Sequence, residues 1–482
     1  MNVLVIDIGT TGVRSAVMHH DGRLQAVEYR RCPPSSPFPG LVEFDAIELA
    51  AAALEVAKRS LERHGQPVSG VGITSQRAST VVWDRATGRP IAPALGWQDL
   101  RTVFDCITAK TDHGLALAPN QSVTKLAHLL NAHDPGRQGD LRFGTVDSWI
   151  AWVITEGAAH VTDRSNAAVT GLSQHDASDW DDRVLGIFDI PRSMMPTIVD
   201  TSGIIAAATA LPGAPPLAAL VGDQQASLIG QSCVHPGDVK ITFGTGGMLD
   251  LCGDHVPPTS GNRSANGTFP IVAWSIGGAT TWGTEAIMLS AGTNVDWLRD
   301  DLGIIATAAE SHDIAQQCVD ADGVVYVPAL LGLGTPHWDY GARGSLFGLT
   351  RGSSRAHVVR AVLEGIAHRG ADLVEAAEAD TGRDIGVLRI DGGLSANPTF
   401  VQALADASGR PVEPAPVVDA TTMGAGYLAG IATGVWTGLD EIAAAWKPRQ
   451  VVEPRAPLDR DQWREAVARA RGWIPDLSAL DF

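Results

Sequence analysis

Hydrophobic residues along the first hundred positions fall in short runs that predict alternating strands and helices. Residues 46–62 have apolar positions at helical spacing, and Asp45 is placed to cap that helix. The pair Asp21-Gly22 predicts a hairpin turn. Strands are predicted at residues 3–8, 13–19, 68–74 and 80–84. This alternation is typical of an α/β domain.

The second half of the chain repeats this order of elements. Two predicted strands, at residues 239–243 and 248–252, flank a glycine-rich turn, as residues 3–8 and 13–19 do. Further along, the pattern predicts helices at residues 354–373 and 421–430, and a strand at 387–391 followed by a glycine turn and a helix that opens at Asn397. We interpret the recurrence as weak internal symmetry.

A chain of 482 residues exceeds what one hydrophobic core usually supports, so two domains with a cleft between them are expected. Hydrophobic residues make up 45% of the chain and charged residues 19%, as in globular enzymes. Pro236-Gly237-Asp238 is predicted to form a turn. We therefore place the boundary near residues 232–240, between domains at 1–235 and 236–482.

Charge and cysteine content exclude several classes of protein. The formal net charge of −18 argues against a nucleic-acid partner. The few lysines leave no P-loop of the form GxxxxGK[ST], so ATP would have to bind in another way. Five scattered cysteines favour neither disulfides nor zinc, and no apolar run reaches the roughly 20 residues that cross a bilayer. We expect a cytoplasmic protein without a membrane partner.

Asp223 is the strongest candidate for a catalytic residue, because it lies between an apolar strand and the small-residue start of a helix. A general base suits that position, although a helix N-cap is the simpler alternative. Glycine-rich turns at residues 9–12 and 244–247 are typical of phosphate cradles, and an ordinary hairpin is the alternative for the first. Asp7 is a carboxylate on an apolar strand, which suggests a metal-linked role or a structural hydrogen bond.

The order of these elements resembles the FGGY family of carbohydrate kinases, and within it the glycerol kinases. Residues 344–349, continuing through 357–364, fit the C-terminal signature of the family. Similar segments are spread over nearly the whole chain, at residues 39–45, 72–77, 81–85, 97–102, 162–167 and 332–339. The resemblance implies a two-domain, duplicated actin-like and hexokinase-like (ribonuclease H-like) ATPase fold with an interdomain cleft.

The resemblance also implies roles for individual residues. Asp223 would be the catalytic base and Asp7 would act through the shell of a magnesium ion. The acceptor alcohol would contact Gln76, Arg77, Ala78, Trp97, Asn120, Asp223, Gln224 and Met248. Nucleotide-binding positions would be Thr10, Thr11, Gly12, Arg14, Gly244, Thr245, Gly246, Gly292, Asp296, Gly392, Gly393 and Gly424. ATP and Mg²⁺ are the implied cofactors, and a homodimer or homotetramer is the implied assembly.

Three positions depart from the glycerol kinase pattern. Ala78 stands where those enzymes have a glutamate that accepts hydroxyl protons from glycerol, Asn120 aligns with a tyrosine, and Met248 with a phenylalanine. Because loss of a buried polar partner costs about 1–3 kcal/mol, the acceptor is expected to be a longer, four- or five-carbon polyol or ketose. Glycerol is the alternative, and an ATP-binding regulator without an acceptor is a more distant one.

Overall fold

The computed structural model describes residues 1–416 and 419–480. In this part of the chain, short apolar runs form strands and the longer amphipathic stretches form helices. The strands are β1 (Asn2–Ile8), β2 (Gly12–His19), β3 (Leu24–Arg31), β4 (Glu43–Phe44), β5 (Gly70–Ser75), β6 (Val81–Asp84), β7 (Ala94–Leu95), β8 (Leu141–Gly144), β9 (Val161–Asp163), β10 (Thr197–Val199), β11 (Ser202–Ala207), β12 (Pro216–Gly222), β13 (Val239–Phe243), β14 (Gly247–Cys252), β15 (Phe269–Ile276), β16 (Ala279–Met288), β17 (Val325–Val327), β18 (Ser345–Phe347), β19 (Leu388–Asp391) and β20 (Val412–Pro414).

Helices cover both faces of the strands. They are α1 (Ala46–His64), α2 (Val103–His113), α3 (Ser122–His133), α4 (Val146–Ile154), α5 (Arg164–Ala167), α6 (Asp182–Ile187), α7 (Asp223–Gly230), α8 (Thr293–Asp296), α9 (Glu310–Ala315), α10 (Arg355–Thr381), α11 (Pro398–Ser408), α12 (Ala420–Ala432), α13 (Leu439–Ala444), α14 (Arg460–Ala470) and α15 (Pro475–Ser478). No helix in the described ranges is both long enough and apolar enough to span a bilayer.

The predicted elements are confirmed, with small shifts at their ends. Asp45 caps α1 by accepting hydrogen bonds from two backbone N–H groups of the first turn, and Asn397 caps α11 in the same way through one. Helix α10 runs to Thr381, eight residues beyond its predicted end at 373. These ends follow from local chemistry: a short polar side chain starts a helix, and Gly382 ends α10 in a left-handed conformation.

The central sheet has the same topology twice. In the first half, β1 pairs antiparallel with β2 and β2 with β3, while β5 and β12 continue the sheet in parallel from β1. In the second half, β13 pairs antiparallel with β14 and β14 with β16, while β19 and β20 continue in parallel from β13. The recurrence expected from the sequence is therefore a duplication of the whole sheet, and the α/β class is confirmed.

The two half-sheets meet through β11 and β15, with Ser202 opposite Ile276. Helices α7 and α12 lie between the half-sheets, and their apolar side chains share one core cluster with β1 and β12. Helix α12 comes from the second half of the chain, yet it packs against strands of the first half. The helix that begins at Asp223 is thus held from both halves of the molecule.

Candidate active site

The first glycine-rich turn joins β1 to β2 and places Asp7 beside Arg14, its cross-strand partner. The Thr422 hydroxyl, on α12, donates to Asp7 Oδ2 at 2.9 Å. Burial raises the pKa of Asp7 to about 6, against the lowering effects of the Thr422 hydrogen bond and the Arg14 charge. The negative charges of Asp223 and Asp419 add to the rise. A cation would relieve this repulsion.

Arg14 forms an ion pair with Asp419, which precedes α12. Within the same turn, Gly12 has no room for a side chain, because an added Cβ would lie 2.8 Å from the Arg30 backbone carbonyl. Thr11 is exposed and Thr10 is half-buried, with its hydroxyl accepting a hydrogen bond from Trp97 Nε1 at 3.2 Å. The turn therefore connects the predicted phosphate positions to a predicted wall of the acceptor pocket.

Asp223 is the first residue of α7, and the N-cap position is taken by Gly222. The Asp223 carboxylate accepts a hydrogen bond from the adjacent Gln224 N–H at 2.8 Å, and 31% of the side chain is exposed. Burial raises its pKa, while the nearby Arg77 guanidinium opposes that rise. This bond satisfies the N–H of the second helical residue, but both it and the Arg77 contact involve Oδ1, so among the described residues Oδ2 is left for another partner. It can accept a proton from a group in the cleft.

Arg77 joins Asp223 to the second half of the molecule. Its Nε lies 3.5 Å from Asp223 Oδ1, and its Nη2 donates to Glu285 Oε2 at 2.6 Å, with Met248 Sδ at 4.0 Å. Burial raises the pKa of Glu285, although Arg77 lowers it. The guanidinium Nη1 is buried without a hydrogen-bond partner among the described residues. An oxygen-rich acceptor would supply that partner.

The other predicted acceptor residues lie around β5 and the loop that follows it. Gln76 is buried and its Oε1 accepts from the Ser79 hydroxyl at 3.3 Å. Ala78 is buried in a left-handed conformation (φ 61°), and its carbonyl accepts from the Ser122 hydroxyl at 2.9 Å. A non-glycine residue at positive φ is locally strained, which is common at functional sites. Asn120 is exposed in the turn before α3.

The second glycine-rich turn, residues 244–246, is tied to the start of α8. The Gly292 N–H donates to the Gly244 carbonyl at 2.8 Å, and an added Cβ at Gly292 would meet the same oxygen at 2.6 Å. An added Cβ at Gly246 would lie 2.8 Å from the Met288 carbonyl, whereas one at Gly244 would have only ordinary contact with the Gly246 carbonyl at 3.9 Å, and Thr245 is exposed. The open side of this turn suits a phosphate group. Asp296 is exposed at the end of α8 and pairs with Arg299 at 3.0 Å.

Three further glycines, all predicted to contact nucleotide, have different surroundings. Gly392 is in the left-handed region (φ 84°) against the backbone of Phe243, and Gly393 faces open space. Gly424 is buried, and an added Cβ would lie 1.8 Å from the Ala226 carbonyl on α7. Gly424 therefore serves close packing between two helices, and its predicted contact with nucleotide stays a prediction.

Several polar residues of the site were not predicted. Lys240 and Asp250 form a fully buried ion pair at 2.6 Å, and Lys240 Nζ also donates to Gln224 Oε1 at 2.7 Å. Asp391 accepts from the Ser227 hydroxyl of α7 at 2.8 Å. Lys240 and Asp250 could have been found from the sequence, because each is a charged residue within a predicted apolar strand, as Asp7 is. No feature of the sequence marks Asp419 or Thr422 as partners of residues some 400 positions away.

The site suits the cofactors that the resemblance implies. Asp7 is a half-buried oxygen donor, and burial raises its pKa against the Thr422 hydrogen bond and the Arg14 charge. No cluster of three or more His, Cys, Asp or Glu that could hold a metal occurs among the described residues. Mg²⁺ is commonly bound through one or two carboxylates, phosphate oxygens and water, and Asp7 offers one such carboxylate.

Comparison with known proteins agrees with this geometry. Residues 2–230 match the N-terminal domain, and residues 239–433 the C-terminal domain, of the FGGY family of carbohydrate kinases. The chain is 41% identical to the glycerol kinase of Aromatoleum aromaticum, with 98% of this chain and 99% of that protein covered. It is 39% identical to the glycerol kinase of Deinococcus radiodurans, with 99% of each covered.

The crystal structure of Plasmodium falciparum glycerol kinase with ADP superposes with a TM-score of 0.90 at 26% identity, covering 97% of this chain and 98% of that one. The predicted two-domain, duplicated fold is confirmed by this similarity and by the repeated sheet topology. The chain therefore belongs to the FGGY family of carbohydrate kinases, enzymes that transfer a phosphoryl group to an alcohol.

Proposed function

We propose that the protein phosphorylates glycerol at the expense of ATP, with Asp223 as the general base. The observation that carries this proposal is the environment of Asp223: a carboxylate at a helix start, 31% exposed, 3.5 Å from the Arg77 guanidinium and bonded to the backbone only at Oδ1 among the described residues. The glycerol kinases that are 39–41% identical over nearly the full length support glycerol as the acceptor. They favour it over the longer polyol expected from the sequence.

In this proposal, Asp223 accepts the proton of the attacking hydroxyl while the hydroxyl oxygen forms a bond to the γ-phosphorus and the bond from that phosphorus to ADP breaks. Such a base contributes roughly 10²- to 10⁴-fold to the rate. Arg77 orients the acceptor and keeps the carboxylate ionised. Thr10, Thr11, Gly12 and Arg14 of the first turn, and Gly244, Thr245 and Gly246 of the second, bind the phosphates from opposite sides. Gly292, Asp296, Gly392 and Gly393 border the adenosine.

Magnesium, bound through Asp7 and water, would neutralise charge on the phosphates. Domains at residues 1–235 and 236–482 would close over the acceptor and exclude water. Asp7 is suited to this position because it approaches the phosphate turn from β1 and is held by Thr422 from α12. The proposal needs no further metal ligand from the protein.

A four- or five-carbon polyol or ketose is the second candidate, and one observation favours it. Ala78 presents only a methyl group where glycerol kinases present a carboxylate, and the backbone there is held by Ser122. Met248 beside Arg77 is a flexible wall, which accommodates different acceptors more readily than a phenylalanine. The pocket therefore offers a longer molecule more room and fewer oxygens.

The test is ADP release with Mg-ATP across glycerol, erythritol, threitol, erythrulose, ribitol, arabitol, xylulose and ribulose. Highest kcat/KM with glycerol supports the proposal. A preference for a longer acceptor by tenfold or more, equivalent to about 1.4 kcal/mol, would replace glycerol by the second candidate. No stimulation by any of these alcohols would refute both assignments.

A further inference from the structure

A row of charged side chains crosses the second half-sheet beneath the start of α7. Lys240 on β13 is the register partner of Asp250 on β14, which is in turn the partner of Glu285 on β16. The side chains of Lys240 and Asp250 have no exposed surface. A buried ion pair is often no more stabilising than apolar residues of similar volume. Folding stability alone therefore does not explain this pair.

The contacts of Lys240 lead directly to the acceptor site. Its ammonium lies 2.6 Å from Asp250 Oδ2 and donates to Thr242 Oγ1 at 2.9 Å and to Gln224 Oε1 at 2.7 Å. Thr242 and Gln224 each accept one of the three ammonium N–H groups, and Asp250 holds the nitrogen by charge as an ion-pair partner. Asp250 and Thr242 thus fix the nitrogen from the sheet side. Another N–H is directed at Gln224, the residue that follows Asp223.

This contact determines which way the Gln224 amide faces. Because an ammonium donates and never accepts, it binds the amide oxygen and turns the NH₂ group away from the sheet. Gln224 Nε2 makes no hydrogen bond to any side chain or carbonyl in the described ranges, and the residue is half-buried at the cleft, next to Asp223. The amide nitrogen is thus a donor without a protein partner beside the general base.

We propose that Lys240, held by Asp250, is a positioning residue that fixes the Gln224 amide with its nitrogen toward the acceptor, so that Gln224 donates a hydrogen bond to an acceptor oxygen. The inference rests on the proposed function, since it requires an alcohol beside Asp223. It concerns acceptor binding and not the nucleotide, because the hydrogen bond that Lys240 makes at the cleft, among the described residues, is the one to Gln224. Without Lys240, the amide is free to rotate and its donor is lost for part of the time.

The test is the double variant Lys240→Met/Asp250→Leu, which removes both buried charges together and leaves neither unpaired. We expect it to fold, to raise the KM for the acceptor about tenfold, the effect of one hydrogen bond, and to leave the KM for ATP within about twofold. Adding Gln224→Met should then change the acceptor KM by less than about twofold, because the two sites act through one contact. A wild-type acceptor KM, or equal rises in both KM values, would overturn the inference.

A second pair of variants leaves the buried ion pair intact, in case the double variant does not fold. Gln224→Glu keeps an oxygen for Lys240 but has no N–H donor, and Gln224→Met lacks both. Both should raise the acceptor KM by similar factors, whereas a near-normal KM in Gln224→Glu would show that no donor is needed. Failure of the proposed function is distinguishable, because the wild type would then show no acceptor-dependent ADP release at all.

Discussion

Replacing Asp7 by asparagine should stabilise the ligand-free protein above neutral pH while removing activity. The ionised Asp7 carboxylate has one hydrogen bond from Thr422 and is repelled by the negative charges of Asp223 and Asp419. Burial raises its pKa from 3.8 to about 6, so the native state holds the neutral form more tightly than the unfolded chain does. Asparagine has nearly the same shape and no charge, and it can still accept the Thr422 hydrogen bond.

The magnitude follows from that shift. A pKa raised in the native state contributes stability that is fully present below pH 3.8 and is lost as the pH rises through about 6. A rise of about two units corresponds to about 3 kcal/mol, and since Asp7 is only part-buried, solvent screening reduces this to about 1–2 kcal/mol. The advantage of Asp7→Asn should reach this value at pH 8 and fall to about half at pH 5.

The assay is urea unfolding of both proteins at pH 5 and pH 8 without nucleotide or metal. Asp21→Asn is a matched control, because the same change is made at an exposed hairpin where hydrogen bonds from Arg23 lower the pKa of the carboxyl to about 2. That variant should lose stability at pH 8. If Asp7→Asn were less stable than the wild type at pH 8, or gained equally at both pH values, the account of Asp7 would be refuted.

Three other predictions concern single substitutions. Asp223→Asn should lower kcat at least about 100-fold with little change in nucleotide affinity measured by calorimetry, and near-normal turnover would remove Asp223 from the mechanism. Ala78→Glu should raise kcat/KM for glycerol relative to longer polyols, and no such shift in the acceptor panel would contradict our interpretation of the pocket. Gly424→Ala should destabilise the protein by about 3 kcal/mol or more in urea unfolding, because its Cβ would collide with the Ala226 carbonyl. The control Gly386→Ala, where an added Cβ meets open space, should change stability by less than about 0.5 kcal/mol.

The fold was predictable where short-range chemistry determines it. Asp45 and Asn397 cap the helices that the apolar spacing predicts, and the hairpin forms at Asp21-Gly22 with the Gly22 N–H bonded to the His19 carbonyl. The duplication was predictable from the recurrence of strand, glycine turn and strand. In each case the signal and its effect lie within a few residues of one another.

The rest of the site depends on contacts between residues that are far apart in the sequence, and no local sequence pattern predicts such contacts. Asp419 meets Arg14, and Thr422 meets Asp7, only because α12 packs on the opposite half of the molecule. Lys240 is different, since a lysine inside an apolar strand implies a buried partner, by the reasoning that singled out Asp7. The glycine at position 424 indicates that another group packs closely there, but the sequence does not identify that group. The structure shows that it is helix α7.

The contact between α7 and α12 has a mechanical consequence. Gly230 and Gly424 bring backbone against backbone, with no layer of side chains between the helices that could slide or repack. Helix α7 carries Asp223, while α12 carries Thr422 and follows Asp419, the partners of Asp7 and Arg14. We therefore expect Asp223 and the residues that hold Asp7 and Arg14 to move as one rigid body. If Asp223 and Asp7 have the roles proposed above, opening of the cleft would displace the second glycine turn relative to this unit and would leave the two carboxylates at a fixed separation.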